Sequence, residues 1–396
     1  MRHRPAARHP VGSLVLVLSA LLVSPSSALA MTWGPVRELG PVSGETTRPV
    51  IVGTGLNRAV AAFVSRPSEV WDDPPPFGVW VVRTGDSGAT WSEPMLVDGN
   101  QGSEPRLTAY GPRVDLVWVQ AGRVNYRRSA DGGRTWVTRR TLSPPGVQAV
   151  AADVARSSAG QVTVAWAVSG SGELRVRTSL DGGATFQPSR RVRATAPSGT
   201  PLGARLSTAS GVTHVAFFIS PSRIATRRSD DAGGTWQMAR IVARDALAYG
   251  LDLASAAGVV VLAYAHQEAS TERAVFRRSP DNAVSWGPAV PLSLTAEEWS
   301  GSPTIDARGG TWMAMWSRDV SGPSAFVELA AMHRSSTDGG RTWSAPSRVG
   351  PVPTSYGFFE YEYPGEATLA GKQIVVFRVF HDGGVGVHGA FVRAEE

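Results

Sequence analysis

A phrase of eight residues, S/T-x-D-x-G-x-T-W, occurs six times along this chain. It first reads Thr84-Gly-Asp86-Ser-Gly88-Ala-Thr90-Trp91, and it returns at Ser129–Trp136, Ser179–Phe186, Ser229–Trp236, Ser279–Trp286 and Ser336–Trp343. Its aspartates, Asp86, Asp131, Asp181, Asp231, Asp281 and Asp338, are spaced 45, 50, 50, 50 and 57 residues apart. A period near 50 with β-like runs on either side means a propeller or an array, because one such unit cannot bury its apolar face alone.

The chemistry of the phrase is that of a tight turn. Its glycine takes φ > 0 without steric cost, and its Asp can accept from backbone N–H groups and lock the bend. The Ser or Thr two residues before the Asp is placed to close the same network. The Trp, replaced once by Phe186, is a large apolar plate that can wedge between sheets. The fifth copy departs from the pattern, with Ala283 at the Gly position and Ser285 at the Thr position. The six aspartates therefore read as structural. The phrase resembles the Asp-box (BNR repeat) of the sialidase-like propellers, and the resemblance covers nearly all of residues 31–396 at the level of fold.

Each box joins a run before it to a run after it, read as strands three and four of a blade. The second strand carries its own repeat, an aromatic in register at Phe63, Trp118, Trp166, Phe217, Tyr264, Trp316 and Phe377. That series has one member more than the boxes. Residues 363–394 supply three strands without a fourth, while Trp33-Gly-Pro35-Val-Arg-Glu-Leu39 reads like the run after a box. Pairing the N-terminal strand with the last blade would close the ring and remove exposed edges. The expectation is an all-β chain: a seven-bladed propeller of four-stranded antiparallel blades closed by the N-terminal strand, with six blades, the number in sialidases, as the alternative.

The first thirty residues stand apart. Arg2, Arg4 and Arg8 precede an apolar run, Val11 to Val23, and Ala28-Leu-Ala30 offers a cleavage site. This is the pattern of a secretory signal peptide, so residues 31–396 are expected as one secreted or periplasmic propeller domain cleaved near Ala30. No later run approaches the 18 apolar residues of a membrane helix. The chain has no cysteine, which removes disulfides, lipidation and thiolate metal sites. Neither a metal nor a cofactor is implied. The formal charge of +6 falls to +3 without the three arginines of the leader, and Lys372 is the only lysine. Arginine pairs (Arg127-Arg128, Arg227-Arg228, Arg277-Arg278) recur once per repeat rather than in one patch, which argues against a nucleic-acid surface. The arginine-rich usage points to a G+C-rich bacterial source, and a monomer is expected.

In a propeller the boxes and the strand 1–2 turns share one face, and function usually sits on the loops of the other. The longer loops there fall in blade five (His266 to Arg273) and in blades six, seven and one, whose loops should form one rim. Blade one brings Arg66, Trp71, Asp72 and Asp73; blade six brings Glu298, Trp299 and Arg318; blade seven brings Glu360, Tyr361, Glu362, Tyr363 and Arg378. Aromatic faces stack on sugars while carboxylates and guanidiniums bond hydroxyls, so this rim reads as a site for a glycan or an extracellular protein. The sialidase resemblance implies an arginine triad, an Asp acid/base and a Tyr nucleophile activated by a Glu, an exception among glycosidases. Arg48 stands where the first arginine would open blade one, though its Arg48-Pro49 lacks a residue of the R-I-P phrase. Asp72 or Asp73 stands at the acid/base place, and Tyr361 or Tyr363 at the nucleophile's. The other two arginines have no match. Blade five opens on Tyr249-Gly-Leu-Asp252 and blade three on Val147-Gln-Ala; only Arg205 in blade four comes near. A substitute clamp from Arg66, Arg318 and Arg378 could hold an anion but would not be the family's triad. The reading is thus a binding module. The alternative is a glycoside hydrolase using Asp72 or Asp73 with Tyr361 or Tyr363, or two carboxylates among Asp72, Asp73, Glu298, Glu360 and Glu362. A third reading is an assembly factor that uses the whole ring face.

Overall fold

The computed structural model describes residues 35, 37–39, 44–67, 77–99, 101–193, 203–219, 222–268, 271–293, 299–308, 310–319, 329–349, 359–369, 372–381 and 387–394. The leader expected at 1–30 lies outside them. Among the described residues every regular element is a strand. After the short strand β1 (Arg37–Glu38), the first sheet holds β2 (Gly44–Gly55), β3 (Arg58–Pro67), β4 (Gly78–Thr84) and β5 (Met95–Asp98). The next holds β6 (Ser103–Tyr110), β7 (Arg113–Gln120), β8 (Arg123–Ser129) and β9 (Arg140–Thr141). Then come β10 (Ala149–Arg156), β11 (Val162–Val168), β12 (Glu173–Ser179) and β13 (Arg190–Arg193). The fourth has β14 (Ala204–Ala209), β15 (Val212–Ile219), β16 (Arg223–Ser229) and β17 (Arg240–Arg244). The fifth has β18 (Ala246–Ala256), β19 (Val259–Glu268), β20 (Thr271–Ser279) and β21 (Val290–Pro291). The sixth has β22 (Ser300–Arg308), β23 (Thr311–Asp319), β24 (Leu329–Ser336) and β25 (Ser347–Arg348).

Strands β26 (Phe359–Leu369), β27 (Lys372–His381) and β28 (Val387–Ala394) form one more sheet, whose outer place is taken by β1, with Arg37 opposite Val392. The described residues thus form seven four-stranded antiparallel sheets. First strands touch in succession, and β26 contacts both β22 and β2. This is the arrangement of a β-propeller.

Sheets meet through apolar clusters, and each box aromatic packs into the cluster between its own sheet and the one before. Trp136 joins Val60, Val81 and Trp118, and Phe186 joins Tyr126 and Trp166. Trp286 joins Phe218 and Leu262, and Trp343 joins Phe276 and Trp316. Trp91 packs with Phe63, Ile374 and Val376, which ties the first sheet to the last. Of the second-strand aromatics, Phe63, Trp118, Trp166, Phe217, Tyr264 and Trp316 are fully buried.

The boxes share one hydrogen-bond plan. In the second, the Ser129 hydroxyl donates to Asp131 Oδ1 at 2.7 Å and accepts from the Gly133 amide at 2.8 Å. The Thr135 amide donates to Oδ1 at 2.9 Å and its hydroxyl to Oδ2 at 2.6 Å. The degenerate fifth box keeps the plan, with Ser285 donating to Asp281 from both amide and hydroxyl. Box turns lie beside the strand 1–2 turns, since the Ser87 amide reaches the Asn57 carbonyl and the Gly132 amide the Pro112 carbonyl.

The second arginine of each pair latches one blade to the next. Arg128 donates to the Gly182 carbonyl of the next box at 2.9 Å, and Arg278 to that of Gly339 at 2.7 Å. Arg227 and Arg334 bond backbone carbonyls just beyond their own boxes.

Two box positions separate strain from space. Gly183 has φ +85°, and a Cβ there would lie 1.8 Å from the Tyr126 hydroxyl. Gly183→Ala should destabilise the fold by about 3 kcal/mol, summing overpacking and left-handed backbone cost. Ala283 holds φ 63° with its methyl buried in the cluster of Phe218 and Leu262. Ala283→Gly should change stability by less than about 1 kcal/mol, because relief of strain offsets a lost methyl and added chain entropy. Chemical denaturation of the two variants checks this contrast, which similar effects in both would refute.

Candidate functional site

The first strands surround a central channel with a cavity of about 500 Å³. One position of these strands is fixed by register: it pairs with the residue just before the second-strand aromatic. Going round, it is Val50 opposite Ala62, Arg106 opposite Val117, Asp153 opposite Ala165 and Arg205 opposite Ala216. Asp252 opposite Ala263, Thr304 opposite Met315 and Gly365 opposite Val376 complete it. Four neighbouring blades therefore present Arg, Asp, Arg, Asp to the channel. Two residues further along its strand, blade six adds Asp306, and Arg308 lies two beyond that.

The aspartates of this belt cap the edges of their neighbours. Asp153 Oδ2 accepts from the Leu206 amide at 2.7 Å, and Asp252 Oδ2 accepts from the Ile305 amide at 3.0 Å. Each thereby satisfies an inner-edge N–H that no strand covers. Arg205 donates to the Ala204 carbonyl at 2.9 Å and sits 3.7 Å from Asp252 Oδ1. The Ser207 and Ser255 hydroxyls meet at 2.6 Å.

Charge is expensive here. Burial pushes the Arg106 guanidinium down to about 10; the Arg205 cation adds to this, while Asp153, Asp252 and Glu104 pull the other way. Burial raises the Asp153 carboxyl above its ordinary value, opposed first by Arg205 and then by Arg106. Burial also raises Asp306, opposed by Arg308 and reinforced by Asp252. Such a belt suits a polar ligand with several hydrogen-bonding or charged groups.

The box aspartates behave differently. At Asp131, Asp281 and Asp338 slight burial works against ionisation, but the bonds from the Thr or Ser four residues on and the Ser two residues before outweigh it. All three carboxyls sit at about 2. Their oxygens are occupied by their own turns, leaving them poor acids, bases or ligands.

The rim residues read from sequence fare unevenly. Trp71, Asp72, Asp73 and Glu298 lie outside the described residues. Arg48 and Arg66 lie at the ends of β2 and β3 away from the boxes. Glu360, Tyr361, Glu362 and Tyr363 open β26, where Glu362 pairs in register with Arg378. Trp299 is already engaged, its indole N–H donating to Glu272 at 2.7 Å. Arg318 lies opposite Ser300, in register at the same end of its sheet. The channel belt was missed from sequence, although Arg205 and Asp252 were in view as strand-opening residues. The signal that finds it is the register position before each second-strand aromatic.

No protein-family model matches the chain, and no curated protein matches it. Solved structures do. The NanB sialidase of Streptococcus pneumoniae, as its K499G mutant, is 11% identical over 92% of this chain and 70% of that one, with a TM-score of 0.52. A protein of unknown function from Dyadobacter fermentans is 13% identical over 91% of this chain and 99% of its own, with a TM-score of 0.51. The Hadza microbial sialidase Hz136 is 16% identical over 68% of this chain, with a TM-score of 0.51. This chain spans 63% of that sialidase's length. Identities this low show the fold alone: an all-β propeller with four-stranded antiparallel blades, similar to the fold of these sialidases. Among the described residues no helix is long and apolar enough to cross a membrane.

Proposed function

We propose that this chain is an exported, sialidase-like Asp-box propeller that binds a glycan or an extracellular protein on the face opposite its boxes. The observation that carries the reading is where the chemistry is spent. The box carboxylates are consumed in their turns, whereas the aromatic and charged ends of β2, β3, β22, β23 and β26 gather at the other end of neighbouring sheets. Trp71, Trp299, Glu298, Arg48, Arg66, Arg318 and Arg378 are the proposed contacts. The seven sheets and the contact of β26 with β2 support seven blades rather than six. Export is read from the leader at residues 1–30, with cleavage near Ala30, and the protein is read as a monomer.

The second reading is a glycoside hydrolase of sialidase type, with Asp72 or Asp73 as acid/base and Tyr361 or Tyr363 as nucleophile beside Glu360 or Glu362. The names of the similar solved proteins favour testing it. A glycan array and fluorogenic sialoside and aryl-glycoside assays on residues 31–396 separate the two. Binding without turnover, weakened at least tenfold by Trp71→Ala or Tyr361→Ala, is the expected result. Turnover abolished by Asp72→Ala or Asp73→Ala would replace the binding module with the hydrolase.

A further inference from the structure

Three charges of the channel belt, Asp153, Arg205 and Asp252, have a hydrogen-bond or ion-pair partner. Asp153 is held by the Leu206 amide and lies under the influence of both Arg106 and Arg205; Asp252 has the Ile305 amide and Arg205. Two are less engaged. Arg106 makes no hydrogen bond or ion pair with a described residue, and Asp306 has only the Ala307 amide. Arg106 feels the carboxylates of Asp153, Asp252 and Glu104, and Asp306 feels Arg308, yet none of these closes an ion pair with it. One cavity thus contains a guanidinium and a carboxylate that close no ion pair among the described residues, on blades two and six. Both side chains are half-buried and line the open cavity, so a charged group entering it can reach them, and a charge drawn partly out of water gains from a counter-charge.

We propose that the central channel is a binding site for a small zwitterion, its anionic group on Arg106 and its cationic group on Asp306. The arrangement also bears on ligand length. Asp306 lies two residues further along its strand than the belt position occupied by Arg106, an axial offset of ~7 Å. A ligand with well-separated charges fits this better than an α-amino acid. The planar guanidinium suits a carboxylate through two parallel N–H···O bonds, and the carboxylate suits an ammonium. Ser207, Ser255 and Thr304 line the same cavity. The inference does not depend on the glycan reading: an array without hits leaves it standing, and its own failure leaves the rim untouched.

Calorimetry with 6-aminohexanoate on residues 31–396 tests it, with hexanoate and hexylamine as single-charge controls and glycine as the short zwitterion. The expected result is binding of 6-aminohexanoate at least tenfold tighter than that of the other three. Arg106→Gln and Asp306→Asn should each weaken it at least tenfold while circular dichroism remains that of the parent. The two residues lie on different blades, so if one variant fails to fold the other decides. Equal binding of hexanoate would reduce the site to an anion site and overturn the proposal. So would affinity unchanged in the folded variants, or no binding of 6-aminohexanoate at millimolar concentration.

Discussion

Asp115→Ala should destabilise the protein by about 3–5 kcal/mol, the range for breaking one side of a buried ion pair. Asp115 is fully buried on β7, and its partner Arg156 at the end of β10 has a side chain only 2% exposed. Arg156 bonds Asp115 twice, through Nε to Oδ2 and through Nη2 to Oδ1 at 2.8 Å. The Tyr126 hydroxyl donates to Oδ1 as well, and burial, along with the Asp115 charge and this bond, pushes the tyrosine far above its ordinary value. Arg156 also reaches the Gly182 carbonyl of the third box. The cluster therefore pins the second blade to the third. Alanine would strand a guanidinium in the seam and remove the acceptor from Tyr126. Asp115→Leu with Arg156→Met should recover most of the loss, because no unpaired charge is left behind. Urea unfolding of the single and double variants measures this. A loss below about 1 kcal/mol in Asp115→Ala would show that the pair contributes little.

The contrast between this cluster and the boxes explains what could be read in advance. All partners of a box aspartate lie within four residues of it, so Asp131 with Ser129, Gly133 and Thr135 is legible as a local string. The blades were legible because their aromatics and boxes recur at a fixed period. Asp115 and Arg156 are 41 residues apart, and nothing local marks either as buried. The belt was hidden for a further reason. The first strands are irregular between Ser103 and Arg106, between Ala246 and Leu251, and between Gly301 and Thr304. A bulge shifts the alternation of side chains, so counting twos from the start of a strand assigns every residue past the bulge to the wrong face. Glu104 and Ser302 take φ of 53° and 47° at these irregularities, conformations that their residue types do not advertise. The rim was inferred from loop length and composition, which mark where a surface is free to vary but not how its side chains converge.

Stability should fall by about 4 kcal/mol between pH 7 and pH 5 through two buried histidines. His214 on β15 and His333 on β24 are each 1% exposed. Burial pushes His214 down to about 4; the Asn282 backbone opposes this, Arg228 adds to it, and Asp230 and the Ser207 backbone oppose it. Burial alone takes His333 down to about 3. Both folded values lie below the ~6.5 of an unfolded histidine, so in this window the unfolded chain binds more protons. Their contribution is fully present above pH ~6.5 and is lost as pH falls towards 4 and 3, at about 1.4 kcal/mol per pH unit for each group. Asp153 and Asp306, whose carboxyls are raised, act in the opposite sense and offset part of the loss. The box aspartates, held at about 2, come into play only below the ordinary carboxylate range. The histidines are isolated by comparing urea midpoints at pH 7 and pH 5 in the parent, His214→Gln, His333→Gln and the double variant. The double variant should lose most of the pH dependence. A parent whose midpoint does not move between these pH values, or a double variant with an undiminished slope, would show that these imidazoles do not govern acid sensitivity.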